Sequence, residues 1–214
     1  MKVNELVQYI IDYCKNSKFN KVYICGNGGS GKTSLSKYIE EEAKKYGNVN
    51  AISTDDFIVD TSLRKNASIT WKENDKDYSY RYTSSNKESY FIKNIDEILY
   101  NIDNGLDCYY FPKKYKEENN MRKLYSNYFL TIIEGVGTAF LERDSKSLSI
   151  FLKCSTENEI KRREDRLENQ NRSSIELYDE KRDSQFRTNV LIHENEFDMI
   201  IENDDNFEYK IVKK

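Results

Sequence analysis

The sequence predicts an α/β chain, a parallel sheet wrapped by helices on both faces, and three observations carry that prediction. Short apolar runs of strand length recur at 21–25, 49–54, 128–135, 148–154 and 197–202. Helical segments alternate with them at 34–46, 88–103, 156–170 and 175–192. Between the first strand and the helix that follows it stands Gly26-Asn27-Gly28-Gly29-Ser30-Gly31-Lys32-Thr33, which fits the pattern G-x-x-x-x-G-K-S/T. Strands joined through helices form βαβ units, whose crossovers make neighbouring strands parallel. At 214 residues the chain holds one sizeable domain, 1–214, with a single core.

Taken in order, 4–15 places Leu6, Tyr9, Ile10 and Tyr13 at helical spacing, a helix expected on the sheet edge. Val22, Tyr23 and Ile24 form a buried strand of β-branched and aromatic residues. Leu35, Tyr38, Ile39 and Ala43 give the next helix its apolar face, and Tyr46-Gly47-Asn48 stops it. The second strand ends in Asp55-Asp56-Phe57, at the carboxyl end where open α/β sheets bind ligands. Residues 60–85 are polar and aromatic without clear periodicity, which reads as a long functional loop. Phe91, Ile92, Ile95, Ile98 and Leu99 share a helix face that Asn104-Gly105 terminates. A short strand over 106–111 is closed by Pro112, and 113–123 reads as a basic, polar loop. Phe129 to Ile133 form the next buried strand, running into Glu134-Gly135.

Charged residues of both signs are interspersed and the net charge is −3, so the basic excess of a nucleic-acid binder is absent. No apolar run reaches membrane-spanning length and the N-terminus has no signal-peptide pattern, which predicts a cytoplasmic protein without a membrane partner. A single histidine, His193, rules out a His-based triad or a multi-His metal site within one chain. The four cysteines form no C-x-x-C pair and read as reduced, mostly buried thiols. Chemistry therefore falls to carboxylates, lysine, arginine and a metal. A homo-oligomer is compatible with the sequence, which does not set the assembly state.

The glycine-rich segment has a physical purpose in this context. Its glycines let the backbone aim N–H groups inward, and the following helix adds the positive end of its dipole. Residues Gly26, Asn27, Gly28, Gly29, Ser30, Gly31, Lys32, Thr33 and Ser34 thus form a cradle for a polyphosphate such as ATP. Lys32 would reach the β- and γ-phosphates and the Thr33 hydroxyl would ligate Mg²⁺. Asp55 is placed to accept a proton from an incoming hydroxyl, while Asp56 would point the other way in a strand. Glu134, at the end of an apolar strand, suits an acidic residue on the metal and on the substrate side of the site. Arg162 and Arg166, four apart, share a helix face with Arg163 beside them, as a closing lid over a triphosphate or as ordinary solvated charge. Tyr80, Arg81 and Tyr82 are the candidate acceptor contacts, by stacking and by pairing with an anion, or simply pack their loop down.

The order of these motifs resembles the uridine kinase and phosphoribulokinase-like family of P-loop small-molecule kinases. Gly-Gly-Ser-Gly-Lys-Thr is followed by Ile52-Ser53-Thr54-Asp55-Asp56-Phe57, Ile132-Ile133-Glu134-Gly135, Ile150-Phe151-Leu152 and Arg162-Arg163-Glu164-Asp165-Arg166. The resemblance implies a five-stranded parallel core, an arginine-bearing helical lid over about 156–172, and γ-phosphate transfer from a nucleoside triphosphate to a small-molecule hydroxyl, with a nucleoside the first expectation. It implies catalytic roles for Lys32, Asp55, Arg162 and Arg166, a nucleotide contact at Arg163, and Mg²⁺ ligation at Thr33, Asp55 and Glu134. The chain departs from the family at the acceptor side. Ile58 stands where the family has a tyrosine, no Asp-His-Pro accompanies Tyr80-Arg81-Tyr82, and Tyr109-Tyr110-Phe111 lacks the family's Asp and later His. Those departures leave a sugar or other polyol open as acceptor. A nucleotide-hydrolysing switch or motor is disfavoured by the absence of Asn-Lys-x-Asp and by Glu134-Gly135 where a motor would carry Asp-Glu. A binding module without catalysis is disfavoured by the intact Lys32, Thr33, Asp55 and Glu134.

Overall fold

The computed structural model describes residues 1–113, 121–168, 179–203 and 208–214. In chain order the elements are α1 (Val3–Ser17), β1 (Lys21–Gly26), α2 (Lys32–Ala43), β2 (Val49–Ser53), α3 (Thr61–Lys65), β3 (Ser68–Glu73), β4 (Lys76–Arg81), α4 (Ile92–Asp103), β5 (Cys108–Tyr110), β6 (Arg122–Leu124), β7 (Leu130–Glu134), β8 (Ser147–Lys153), α5 (Thr156–Glu168), α6 (Glu180–Asn189), β9 (Met199–Asn203) and β10 (Tyr209–Lys213). Short 3₁₀ turns at Thr54–Phe57, Lys87–Ser89, Val136–Phe140 and Leu191–Glu196 connect them.

The main sheet runs β10-β9-β8-β1-β7-β2. The five strands from β9 to β2 are parallel, and β10 adds an antiparallel strand at the other edge. This extends the expected five-stranded sheet by one strand, which Tyr209 and Ile211 alone signalled too weakly. Strand β1 lies at the centre, so Val22 and Ile24 face one side and Tyr23 and Cys25 the other, all buried. On the first side α1 and α2 pack Leu6, Ile10, Ile11, Leu35, Ile39 and Ala43 against Ile132, Ile150 and Ile201. Helix α1 therefore covers a sheet face beside α2, where an edge position was expected. On the second side α4 packs Ile95, Leu99 and Ile102 against Tyr23, Ile52 and Ile133, and α6 packs Phe186 and Val190 against Phe151 and Ile200. The result is three layers with the core split between two interfaces. Among the described residues, no helix is long and apolar enough to cross a membrane.

Residues 60–85 are not an irregular loop. They form α3 and an antiparallel hairpin, β3–β4, turned by Asn74 and Asp75, both at positive φ (48° and 63°) as a tight two-residue hairpin turn requires. Ile69 and Trp71 alternate with polar residues and meet Tyr80 and Tyr78 across the ladder, with Trp71 and Tyr78 stacked at 5.3 Å. The hairpin docks on α6. Trp71 Nε1 donates to Ser184 Oγ at 2.8 Å, Arg187 bridges both oxygens of Glu73 at 2.7 and 2.8 Å, and Tyr78 and Lys76 donate to Glu180. The strand expected over 106–111 exists as β5 but pairs with β6 in a separate two-stranded ribbon. The predicted loop at 113–123 gives β6 at its end, and its middle lies outside the described residues, as do the ends of the helices predicted over 156–170 and 175–192 where they adjoin 169–178.

Candidate active site

The carboxyl ends of β1, β7 and β2 converge on one cleft. Register places Ile24 and Ser53 level with Glu134, so three strand ends deliver the P-loop, Glu134 and the turn carrying Asp55 to the same height. The described lining of the cleft includes the P-loop from Asn27 to Ser34 without Ser30, then Asp55, Ser84, Ser85 and Glu134. Thr156, Glu159, Ile160 and Arg163 of α5 and Asp179, Arg182, Asp183 and Phe186 at α6 complete it. Gly135, next to Glu134, sits at φ +131°, and a Cβ there would lie 2.0 Å from Thr54 Oγ1. Only glycine lets β7 turn away this tightly under the Asp55 turn.

Lys32 is buried, and its ammonium donates to the Asn27 carbonyl at 2.7 Å. Burial holds its pKa below the ordinary lysine value, against the pull of Glu134 and Asp55. Glu134, also buried, accepts from Ser53 Oγ at 2.9 Å and from Thr33 Oγ1 at 3.3 Å. A hydroxyl and a carboxylate so paired make an oxygen donor set suited to a hard cation. Among the described residues no three acidic, His or Cys side chains cluster into a metal cage. The protein therefore offers part of an Mg²⁺ shell and leaves the rest to phosphate and water, the usual arrangement for this ion. Asp55 is half-buried in the lining. Asp56 turns out of it, accepting from the Lys113 backbone at 3.1 Å and from Tyr110 at 3.3 Å.

The three arginines of α5 divide. Arg163 lines the cleft, paired with Glu159, and its guanidinium would lie 2.8 Å from a Cβ at Gly28, so glycine there makes room for it. Arg162 is outside the lining. It donates to the Gly29 carbonyl at 3.2 Å and to Asn203 at 3.4 Å, tying α5 to the back of the P-loop. Of Arg166 the backbone belongs to α5, while its side chain lies outside the described residues. Tyr80, Arg81 and Tyr82 are on or beside β4 and are not among the cleft's described lining. Tyr80 reaches it indirectly, through a hydrogen bond to Asp179.

A family model described as an AAA domain matches residues 22–186. The chain belongs to that family. No curated protein matches the sequence closely enough to count as a relative. Among solved structures, phosphoribulokinase from Rhodobacter spheroides aligns with a TM-score of 0.56 at 11% identity, covering 88% of this chain and 71% of that one. D-glycerate 3-kinase from Cryptococcus neoformans var. grubii aligns with a TM-score of 0.55 at 9% identity, covering 98% of each chain. At such identities the likeness establishes a shared fold, and that fold is the P-loop kinase one.

Glu159 and Arg182 are among the lining residues of this AAA domain that the sequence reading did not single out. Glu159 is buried over the P-loop, accepts from the Asn27 side-chain amide, and has its Cγ 3.4 Å from a Cβ position at Gly29. Burial pushes its carboxyl above the ordinary range, opposed by Arg163. Its four-residue spacing from Arg163 was visible as an ion pair, but not where the pair would sit. Arg182 follows no motif and reaches the cleft only because α6 folds back across it.

Proposed function

We propose that this chain is a phosphotransferase that moves the γ-phosphate of ATP, or a related triphosphate, to a hydroxyl of a small polyhydroxylated molecule, a nucleoside or a sugar-type polyol. The observation that carries the reading is the meeting of Lys32, Glu134 and Asp55 in one cleft, close enough for both carboxylates to act on the lysine. The P-loop N–H groups and Lys32 bind and orient the triphosphate. Thr33 and Glu134 would hold Mg²⁺, which would supply positive charge to the β- and γ-phosphates. Asp55 takes the acceptor's hydroxyl proton as that oxygen bonds to the γ-phosphorus and the bond to the bridging oxygen breaks, releasing ADP. Arg163 leaves Glu159 and neutralises the migrating group. Tyr80 supports the acceptor side through Asp179, with Arg81 and Tyr82 on the same hairpin.

Asp55→Asn tests the assignment. It should bind Mg·ATP as the parent protein does and lose about 10²–10⁴ in transfer rate. Unchanged turnover would remove Asp55 from the proton-accepting role.

A further inference from the structure

The charges that α6 and its N-terminal approach bring to the cleft are unevenly engaged. Asp183 is ion-paired with Arg187, which in turn holds Glu73 of the hairpin. Asp179 accepts the N–H groups of Lys181 at 2.9 Å and Arg182 at 3.3 Å, closing the first turn of α6, and takes the Tyr80 hydrogen bond as well. The Arg182 guanidinium differs. It is exposed and lines the cleft, where its charge acts on the Glu159 carboxylate, and among the described residues it makes no hydrogen bond or ion pair. Its helix is fixed in place, because the buried Gln185 amide clasps Thr83, Asn86 and the Arg81 carbonyl and so joins α6 to the segment carrying Ser84 and Ser85. The cleft lining thus combines one guanidinium fork with two serines and the apolar side chains of Val136, Ile160 and Phe186.

Such a fork matches a carboxylate or a phosphate in two parallel hydrogen bonds. The donor's phosphates already have the P-loop amides, Lys32 and Arg163. Phe186 is the sole aromatic ring in the described lining, which therefore offers no pair of rings to sandwich a base. We propose that Arg182 anchors a compact anionic group on the acceptor, making the acceptor an anionic polyol, a carboxylate or a phosphate ester, and not a neutral nucleoside. The inference rests on the phosphotransferase reading above.

The test is Mg·ATP turnover by the full chain with three acceptor sets: uridine and glycerol as neutral molecules, glycerate and gluconate as carboxylates, and glycerol phosphate and ribose phosphate as phosphate esters. Product should form from an anionic set, and which one responds distinguishes carboxylate from phosphate. Arg182→Gln should raise KM for that acceptor about 10- to 100-fold, the loss of one charge-assisted pair. Its KM for Mg·ATP should be little changed, and Arg182→Lys should recover part of the loss. Phosphorylation of uridine or glycerol alone would overturn the inference while leaving the phosphotransferase reading intact. So would an Arg182→Gln effect confined to Mg·ATP, which would move Arg182 to the donor. No Lys32-dependent product from any set would remove both.

Discussion

Glu159 is the residue whose position changes how nucleotide binding is understood. A carboxylate held over the anion cradle by Asn27 and paired with the cleft-lining Arg163 occupies the approach to the P-loop. The P-loop satisfies itself internally. Lys32 is turned onto the Asn27 carbonyl and the Gly28 N–H onto the Asn27 side chain, at 2.7 and 2.8 Å. A triphosphate must displace these contacts and draw Arg163 away from Glu159. Glu159→Gln keeps an acceptor for Asn27 and removes the competing charge, so it should tighten Mg·ATP binding by about tenfold, or 1.4 kcal/mol. Titration calorimetry reads this directly, and weaker binding would show that Glu159 supports the site. At this scale the sequence was most informative where a motif fixes backbone and side chain together. Lys32, Thr33, Asp55 and Glu134 all line one cleft. It was least informative for Arg162, whose helix face was predicted but whose partners, Gly29 and Asn203, come from distant segments.

The hairpin and α6 act as one element, and the buried polar network between them is its weak point. Gln185 Oε1 accepts from Thr83 Oγ1 at 2.6 Å and its amide donates to the Arg81 carbonyl at 2.9 Å. Gln185→Leu would remove the acceptor shared by the buried Thr83 hydroxyl and Asn86 amide and the donor to the Arg81 carbonyl, and should destabilise the fold by about 2–4 kcal/mol. A lowered urea midpoint would measure it. The Arg187 guanidinium beside Glu73 holds that carboxyl down at about 2, from an ordinary value of 4.5. A depressed folded-state pKa stabilises above the unfolded value and is lost as pH falls through the folded one. Hairpin docking should therefore weaken between about pH 4.5 and 2. Trp71, the single tryptophan, sits at this contact and reports it by fluorescence. In Glu73→Gln the pH-dependent step over that window should shrink, and an identical profile would assign the transition elsewhere. The hairpin was legible in principle, since Ile69-x-Trp71 and Tyr78-x-Tyr80 alternate about Asn74-Asp75. Its polar outer face and its lack of a place in the main sheet hid that pattern.

Across the whole molecule the parallel sheet, its two helical layers and the position of the P-loop followed from periodicity, because the sheet's strands are short, mostly apolar runs alternating with helical ones. Strand β10 and the β5–β6 ribbon did not, because Tyr209–Lys213 alternates weakly and Cys108–Tyr110 is only three residues long. The acceptor wall was the least legible part. Ser84, Ser85 and Arg182 are brought to the cleft by tertiary docking of α6, which no local pattern encodes. The central claim is that a γ-phosphoryl group passes to an acceptor hydroxyl in this cleft. The measurement that tests it most directly is incubation with Mg·ATP carrying heavy oxygen on the γ-phosphate, with products read by mass and Lys32→Ala as the blank. A labelled phosphoryl group on an acceptor, dependent on Lys32, is the predicted result. Label appearing solely in free phosphate, at a rate indifferent to every acceptor, would contradict it.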